Sequence, residues 1–253
     1  MARRVEEASL NAWPALHQVL LDGWVVRLTR GFTKRANSVT PLYASMQPHL
    51  AKVRYCEDLY AREGLRAIFR TTTIDEQTVL DELLSVRGYE IADPTRVLNV
   101  SLGRGAFSIA AGFEESTLSS FLATYGRLSA QPDIDAIAAG TAADLHATIL
   151  RAIRSETVFG SIRENGDPVA CGMAVVEHEV AGLFDVVVQP DRRRRGHGRA
   201  LVESLLARAS AMGARHAYLQ VLADNLAART LYESMGFAAL YEYRYRLSKH
   251  MQR

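Results

Sequence analysis

The sequence predicts an α/β fold, and three observations carry that expectation. First, the apolar run Val186-Val187-Val188 ends at Pro190, a loop with two glycines follows, and a helical pattern begins at once. Leu201, Val202, Leu205, Leu206 and Ala209 share one face of that helix. Second, Glu164-Asn165-Gly166-Asp167 is a hairpin signal between two strand-like runs, Thr157 to Arg163 and Val169 to Val176. Third, the run Leu240 to Leu247 alternates Tyr241, Tyr243 and Tyr245 with Glu242, Arg244 and Arg246, as a strand with one face packed on a helix does.

The remaining elements follow in chain order. Gly64 to Arg70 reads as a strand after a helix, and the next helix ends Leu83-Leu84-Ser85-Val86-Arg87-Gly88-Tyr89. Phe113 to Leu128 reads as helical, with Leu118, Phe121, Leu122 and Tyr125 at helical spacing, and Pro132 breaks it. Ala142 to Ile153 is a second helix. Val180 to Gln189 is the strand that leads into the glycine loop, and Ala217 to Leu222 is the strand that follows the loop's helix.

The loop Arg192-Arg193-Arg194-Arg195-Gly196-His197-Gly198-Arg199-Ala200 has the makings of a phosphate site. The first N–H groups of a helix lack internal partners, and the dipole there favours anions. Glycines let the backbone approach a ligand, and arginines add charge-assisted hydrogen bonds. A solvated basic face or a nucleic-acid patch on Arg192–Arg195 is a rival reading. A dinucleotide fingerprint lacks its third glycine, because Leu201 stands there, and no Gly-Lys-Ser/Thr follows to make a P-loop.

The order of motifs resembles the acetyl-CoA site of the Gcn5-related N-acetyltransferases, the GNAT family. Arg193-x-x-Gly196-x-Gly198 fits that family's cofactor signature. Downstream, Asn225 opens a short helix that reads Leu231-Tyr232-Glu233-Ser234-Met235-Gly236-Phe237, as in the family. The resemblance covers about residues 155–247. It implies a mixed, mostly antiparallel sheet flanked by helices, with Val186, Val187 and Val188, the loop from Arg193 to Ala200, and Asn225, Ala228 and Tyr232 against acetyl-CoA as cosubstrate. It also implies direct attack of a primary amine on the thioester in a ternary complex. Val188 would lie near the N–H that stabilises the oxyanion, and Tyr232 would protonate the departing thiolate. A phenol with an ordinary pKa of about 10 keeps its proton at neutral pH.

Without the family, Asn225 or Asp224 suits an N-cap and Gly236 suits the residue after a helix end. Asn225, Arg229 and Tyr232 share one helical face. Tyr232 then also reads as a half-buried core tyrosine. The family's basic residue has no clear counterpart. Its usual glutamate position reads Val180-Ala181-Gly182. Glu177, His178, Glu179 and Asp185 lie nearby, and each reads more readily as a solvated turn residue than as a base.

Composition is that of a globular enzyme: 253 residues, 48% hydrophobic, 23% charged and a formal net charge of +2. The basic charge is local, which argues against a dedicated nucleic-acid binder. Cys56 and Cys171 stand far apart and give neither a disulfide framework nor a metal-ligand spacing, so no metal is expected. No secretory leader and no membrane-spanning run is read, and the expectation is a cytoplasmic monomer or homodimer whose partners are acetyl-CoA and an amine. A non-catalytic acetyl-CoA-binding regulator stays open beside the enzyme.

The halves look alike. Leu-x-x-x-x-Gly-aromatic at Leu83-Gly88-Tyr89 matches Leu231-Gly236-Phe237, and Pro41 after Asn37-Ser38-Val39-Thr40 falls where Pro190 does after Val187-Val188-Gln189. Two tandem copies are therefore expected: 1–103 as a degenerate copy and 104–253 as the catalytic one, with Gly103-Arg104-Gly105 as linker. In the first copy Tyr43-Ala44-Ser45-Met46-Gln47-Pro48-His49 replaces the glycine loop, Leu84 replaces the tyrosine, and Gln77 falls near the place of Asn225. Trp24 reads as a core tryptophan.

Overall fold

The computed structural model describes residues 1–74, 77–103, 105–130 and 136–249. The first part of the chain forms α1 (Ala2–Ala12), β1 (His17–Leu21), β2 (Trp24–Leu28), β3 (Val39–Pro41), α2 (His49–Arg62), β4 (Ile68–Thr72), α3 (Thr78–Val86) and β5 (Glu90–Ser101). The rest forms β6 (Phe113–Ser116), α4 (Leu118–Ser129), α5 (Ala136–Ala152), β7 (Glu156–Glu164), β8 (Asp167–Glu177), β9 (Val180–Val188), α6 (His197–Ala211), β10 (His216–Leu222), α7 (Leu226–Glu233) and β11 (Ala238–Leu247).

Two compact units result, and they do not coincide with the chain halves 1–103 and 104–253. The first unit holds Met1–Val97, Val221–Arg229 and the described residues from Ala239 on; the second holds Leu98–Gln220 and Thr230–Ala238. The final strand of the chain thus belongs to the first unit, where β11 runs antiparallel to β4. Arg104 of the expected linker lies outside the described residues, as does Pro132.

In the first unit the strand order β1-β2-β3-β4-β11 is antiparallel except for β3 and β4, which run parallel with α2 as the crossover. In the second, β6, β7, β8 and β9 form an antiparallel meander, and β10 lies parallel to β9 with α6 as the crossover. Both units are therefore mixed and mostly antiparallel. Their helix ends repeat as well. Gly64 (φ +68°) and Gly213 (φ +98°) close α2 and α6 in the left-handed region, and Leu65 and Ala214 donate back to the carbonyls of Tyr60 and Ala209 at 2.9 and 3.0 Å. Gly88 (φ +81°) and Gly236 (φ +89°) do the same for α3 and α7, where the Tyr89 and Phe237 N–H groups bond the carbonyls of Leu84 and Tyr232 at 3.0 and 3.1 Å. Leu84 thus holds the place in α3 that Tyr232 holds in α7.

The hairpin expected at Glu164–Asp167 is present, with Asn165 and Gly166 at φ +53° and +90°, the left-handed pair a two-residue turn requires. Residues Phe113 to Ser116, expected as helix, are a strand. The Phe113 ring lies over Gly160 of β7, where an added Cβ would stand 2.4 Å from it, so pairing with β7 overrides the helical spacing. The helix starts only at Leu118, because the Thr117 hydroxyl accepts the Ser120 N–H at 3.2 Å as an N-cap.

Trp24 is a core residue as expected, packed edge-on against Phe69 (centroids 5.9 Å) in a cluster with Val26, Tyr60 and Leu84. The tyrosine stripe of β11 is buried, but Arg246 does not alternate outward. It is buried and donates to both oxygens of Asp81 on α3, at 2.9 and 2.6 Å.

The deepest polar cluster of the first unit joins α1, β4 and β11. Glu6 and Arg70, exposed by only 1% and 2%, form a two-pronged ion pair, and Tyr241 donates its hydroxyl to the same carboxylate. The Arg70 guanidinium also lies 3.7 Å from the Tyr243 ring centroid. Removing one member would strand a buried charge. Glu6→Ala is expected to destabilise the protein by about 3–5 kcal/mol in urea unfolding, and Arg70→Met added to it should restore much of the loss. An additive or neutral result would show that the pair is not a coupled buried unit.

Candidate functional site

The strand β9 determines the site. Its pairs with β10 run from His216↔Val180 to Leu219↔Leu183. Its register with β8 shifts between Cys171↔Val187 and Met173↔Phe184, so Asp185 and Val186 together face Gly172. This is a β-bulge, and Asp185 takes φ +53° to make it. Gly172 suits the place opposite, because a Cβ there would lie a tight 3.2 Å from Val186 Cγ2. Val186, Val187 and Val188 follow the bulge half-buried.

After β9 the chain makes a 3-10 turn at Pro190–Arg192 and enters α6 through residues of unusual backbone. Arg194 has φ +61° and Gly196, the N-cap, has φ +87°. Left-handed residues just ahead of a helix are the kind of backbone from which anion-binding nests are built. Ala200 donates to the Gly196 carbonyl at 3.0 Å, so the N–H groups of His197, Gly198 and Arg199 precede the first bond of the helix ladder. An added Cβ at Gly196 would meet nothing within 4 Å: this glycine is needed for its φ, not for space. Gly198 differs. A Cβ there would touch Leu231 Cδ2 and Val188 Cγ2 at 3.5 Å each, which places the first turn of α6 between the end of β9 and α7.

The arginines divide by task. Arg192 bonds Glu164 at 2.7 Å and ties the loop to the β7–β8 hairpin; the half-buried His197 stands 3.8 Å from the same carboxylate. Arg193 donates to the Val188 carbonyl at 3.2 Å, and Arg199 bonds Glu203 at 3.3 Å and the Ser234 hydroxyl. Arg194 and Arg195 are exposed. With Arg192, Arg193 and Arg199 tied to the protein, the run is not a uniform basic face, which weakens the nucleic-acid reading.

Val186–Val188, Arg193–Ala200 and Tyr232 all belong to the second unit, where Gly198 stands beside Val188 and Leu231. Tyr232 is 9% exposed, its ring edge-on to Phe237 at 5.8 Å, and burial pushes its phenol up to about 12. Asn225 and Ala228 belong to the first unit's part of α7. The Asn225 side chain accepts the Ala228 N–H at 3.1 Å, so of the two candidate caps it is Asn225 that closes the helix start.

Sequence reading missed one pair. Asp185, expected as a solvated turn residue, is nearly buried, and its Oδ2 lies 2.7 Å from Nε2 of His146 on α5. The side chains are 10% and 9% exposed. No spacing in the sequence links residues 146 and 185; only the bulge and the docking of α5 bring them together. Glu179, in contrast, is a turn residue as expected, bonded to Arg215 at 3.0 Å.

The first unit fills the corresponding loop with a group of its own. Ahead of α2, the N–H groups of Met46 and Gln47 donate to the Asp22 carboxylate at 3.0 and 2.8 Å, and the Ser45 hydroxyl adds a bond at 2.8 Å. The buried Lys52 ammonium lies 3.4 Å from the same carboxylate and 4.0 Å from the Trp24 ring centroid. Asp22 reaches this place because it sits at φ +42° in the β1–β2 turn. An aspartate of the chain thus takes up the N–H groups of this loop.

Among the described residues no group of three or more His, Cys, Asp or Glu is placed to hold a metal, and no helix is long and apolar enough to cross a membrane. Cys56 and Cys171 are both buried and unbridged.

Residues 1–246 match the family described as "Probable histone acetyltransferase Rv0428c C-terminal". The chain is 27% identical over 252 residues to the uncharacterized N-acetyltransferase YobR of Bacillus subtilis, covering 98% of each. In fold it is similar to a GCN5-related N-acetyltransferase from Kribbella flavida (18% identity, TM-score 0.66, 99% of this chain and 97% of that one). It is also similar to a tandem GNAT protein from the clavulanic acid biosynthesis pathway (10% identity, TM-score 0.63, 82% of this chain and 72% of that one).

The bonds to Asp22 hold its carboxyl well below the usual carboxylate range, with the Gln47 N–H the largest cause. A depressed folded pKa stabilises the fold above the unfolded value of about 4, and that contribution is lost as pH falls below it. Thermal melts should therefore show a loss between pH 5 and about 3 that is smaller in Asp22→Asn. Equal acid sensitivity in parent and variant would contradict the assigned role.

Proposed function

Because the chain belongs to the GNAT N-acetyltransferase family, we propose that it transfers an acetyl group from acetyl-CoA to a primary amine, with the reacting groups in the second unit. The observation that carries this reading is the coincidence of a bulged, half-buried β9 end with a left-handed, glycine-opened helix start that follows it directly in the chain, at Gly196. The N–H groups from Arg194 to Ala200 would hold the pyrophosphate, with Arg194 and Arg195 adding charge. The open space above Gly196 fits this use. Backbone N–H groups at Val186–Val188 would position the pantetheine arm and stabilise negative charge on the carbonyl oxygen under attack. Most of the rate would come from holding two substrates in line.

Tyr232 would donate a proton to the departing thiolate. With its phenol near 12 it stays protonated throughout the physiological range, so its titration should place no alkaline limb on the rate profile below about pH 11. Asn225 and Ala228 would act through α7, the one capping it and the other leaving room beside the ring.

The first unit would be a degenerate copy. Its loop is closed by Asp22, and Leu84 offers no proton where α7 offers Tyr232. One acetyl-CoA per chain is the expected stoichiometry in calorimetry; two would restore the first unit as a cofactor site.

Two variants test the assignment. The Cβ that Gly198→Val adds meets only ordinary contacts, and a thermal melt checks that the variant folds; it should weaken acetyl-CoA binding at least about tenfold by crowding the ligand's approach. Parent-like affinity would move the cofactor elsewhere. Tyr232→Phe should lower turnover about a hundredfold with coenzyme A affinity kept, measured where chemistry limits the rate. An unchanged turnover would remove the acid role.

A further inference from the structure

We infer that the His146–Asp185 pair is the proton acceptor for the incoming amine, acting from the face of the second unit's sheet opposite α6. The inference rests on the acetyl-transfer reading above.

The bulge sorts adjacent residues of β9 onto opposite faces. Val186 lies over Gly172 in the company of Leu201 and Leu205, which belong to α6. Asp185, its neighbour, meets His146 of α5 on the other face, and the Tyr125 ring of α4 stands 4.9 Å from the imidazole. The phosphate nest opens at the start of α6. Amine and thioester must approach one carbon from different directions, so the amine is left the α4–α5 face. A polar pair that is nine-tenths buried on that face, at a backbone position where aspartate is strained, is costly to keep for packing alone.

A cavity of about 250 Å³ lies on the same face, lined by Glu114, Thr117, Phe121, Thr124, Ser161 and Cys171. Phe121 stacks on Tyr125 at 6.0 Å, so the cavity wall continues to the ring that covers His146. Cys171 senses the Asp185 charge: burial, then that carboxylate, pushes its thiol up to about 12. The other charged groups on this face are Arg127 of α4, held by the Pro168 carbonyl, and Glu114, held by Arg163. Arg163 lines the cavity as well and pairs with Glu114, so the lining offers hydroxyl groups beside a balanced ion pair and suits a small, hydrogen-bonding amine.

With His146 neutral, the pair carries one negative charge and attracts an ammonium. The ammonium gives one proton to the pair, which becomes imidazolium and carboxylate. The freed lone pair forms the C–N bond and the C–S bond breaks. The thiolate takes the Tyr232 proton, and the second proton lost by nitrogen replaces it. The imidazolium then returns its proton to water, so the net products are amide, free thiol and one proton.

The test is the pH profile of kcat/KM for the full chain, Asp185→Asn and His146→Gln. The acceptor is whichever of n-butylamine, tyramine and a short lysine peptide the parent acetylates best. Asparagine tolerates the left-handed backbone at 185, so the bulge should survive. Both variants should keep parent affinity for acetyl-CoA in calorimetry and lose about a hundredfold in turnover at pH 7. They should recover as pH rises and the free amine becomes abundant, and the parent's acid limb should vanish in His146→Gln. A parent-like profile in both variants would overturn the inference while leaving acetyl transfer intact. So would a uniform loss with the limb unmoved, which marks a structural role. A parent that transfers acetyl to none of the three amines would count against the acetyl-transfer reading and this inference together.

Discussion

One extra residue in β9 carries the architecture of the site. Asp185 and Val186 share the single partner Gly172, and the strand can accommodate both only by bending and by placing Asp185 in the left-handed region. Three consequences follow from that geometry. The last three valines of β9 are left half-buried beyond the registered pairs with β10. Val186 is directed onto the α6 face and packs where Gly172 has no side chain. Asp185 is directed the other way, into the pair with His146. A side chain at residue 172 would press on Val186, Leu201 and Leu205.

The two units make the same turn with different chemistry. Each runs strand, loop, crossover helix, parallel strand, short helix, and each closes its helices with glycine in the left-handed region. In the second unit the loop ahead of α6 is exposed and held from behind, Arg192 by Glu164 and Arg193 by the Val188 carbonyl. In the first, the N–H groups ahead of α2 are already satisfied by Asp22, which is itself held by Ser45 and Lys52. Loop N–H groups that have found a carboxylate in their own chain have little left to offer a phosphate. This physical difference supports one cofactor per chain more directly than the missing glycines do.

Much of this was readable from residue order, where local chemistry decides. The Asn-Gly hairpin, the glycine loop, the Asn225 cap and the matched helix ends at Gly88 and Gly236 are set by residues within a few positions of one another. The reading failed where distant partners decide. Phe113 joins a strand because Gly160 leaves a space for its ring, and Arg246 is buried because Asp81 of α3 awaits it. The placing of β11 in the first unit is a long-range pairing with β4 that no local pattern encodes. The same holds for His146 and Asp185, thirty-nine residues apart, and for Asp22, whose carboxylate meets the N–H groups of Met46 and Gln47 from another turn.

The central claim is that one anion nest, at the start of α6, takes the pyrophosphate of acetyl-CoA. Backbone amide resonances followed during titration with coenzyme A test it most directly. The account predicts shifts concentrated at Val186–Val188 and Arg194–Ala200, saturating at one equivalent, with Met46 and Gln47 unmoved. Shifts at Met46 and Gln47 of comparable size, or none at Gly196 and Gly198 at saturation, would contradict it.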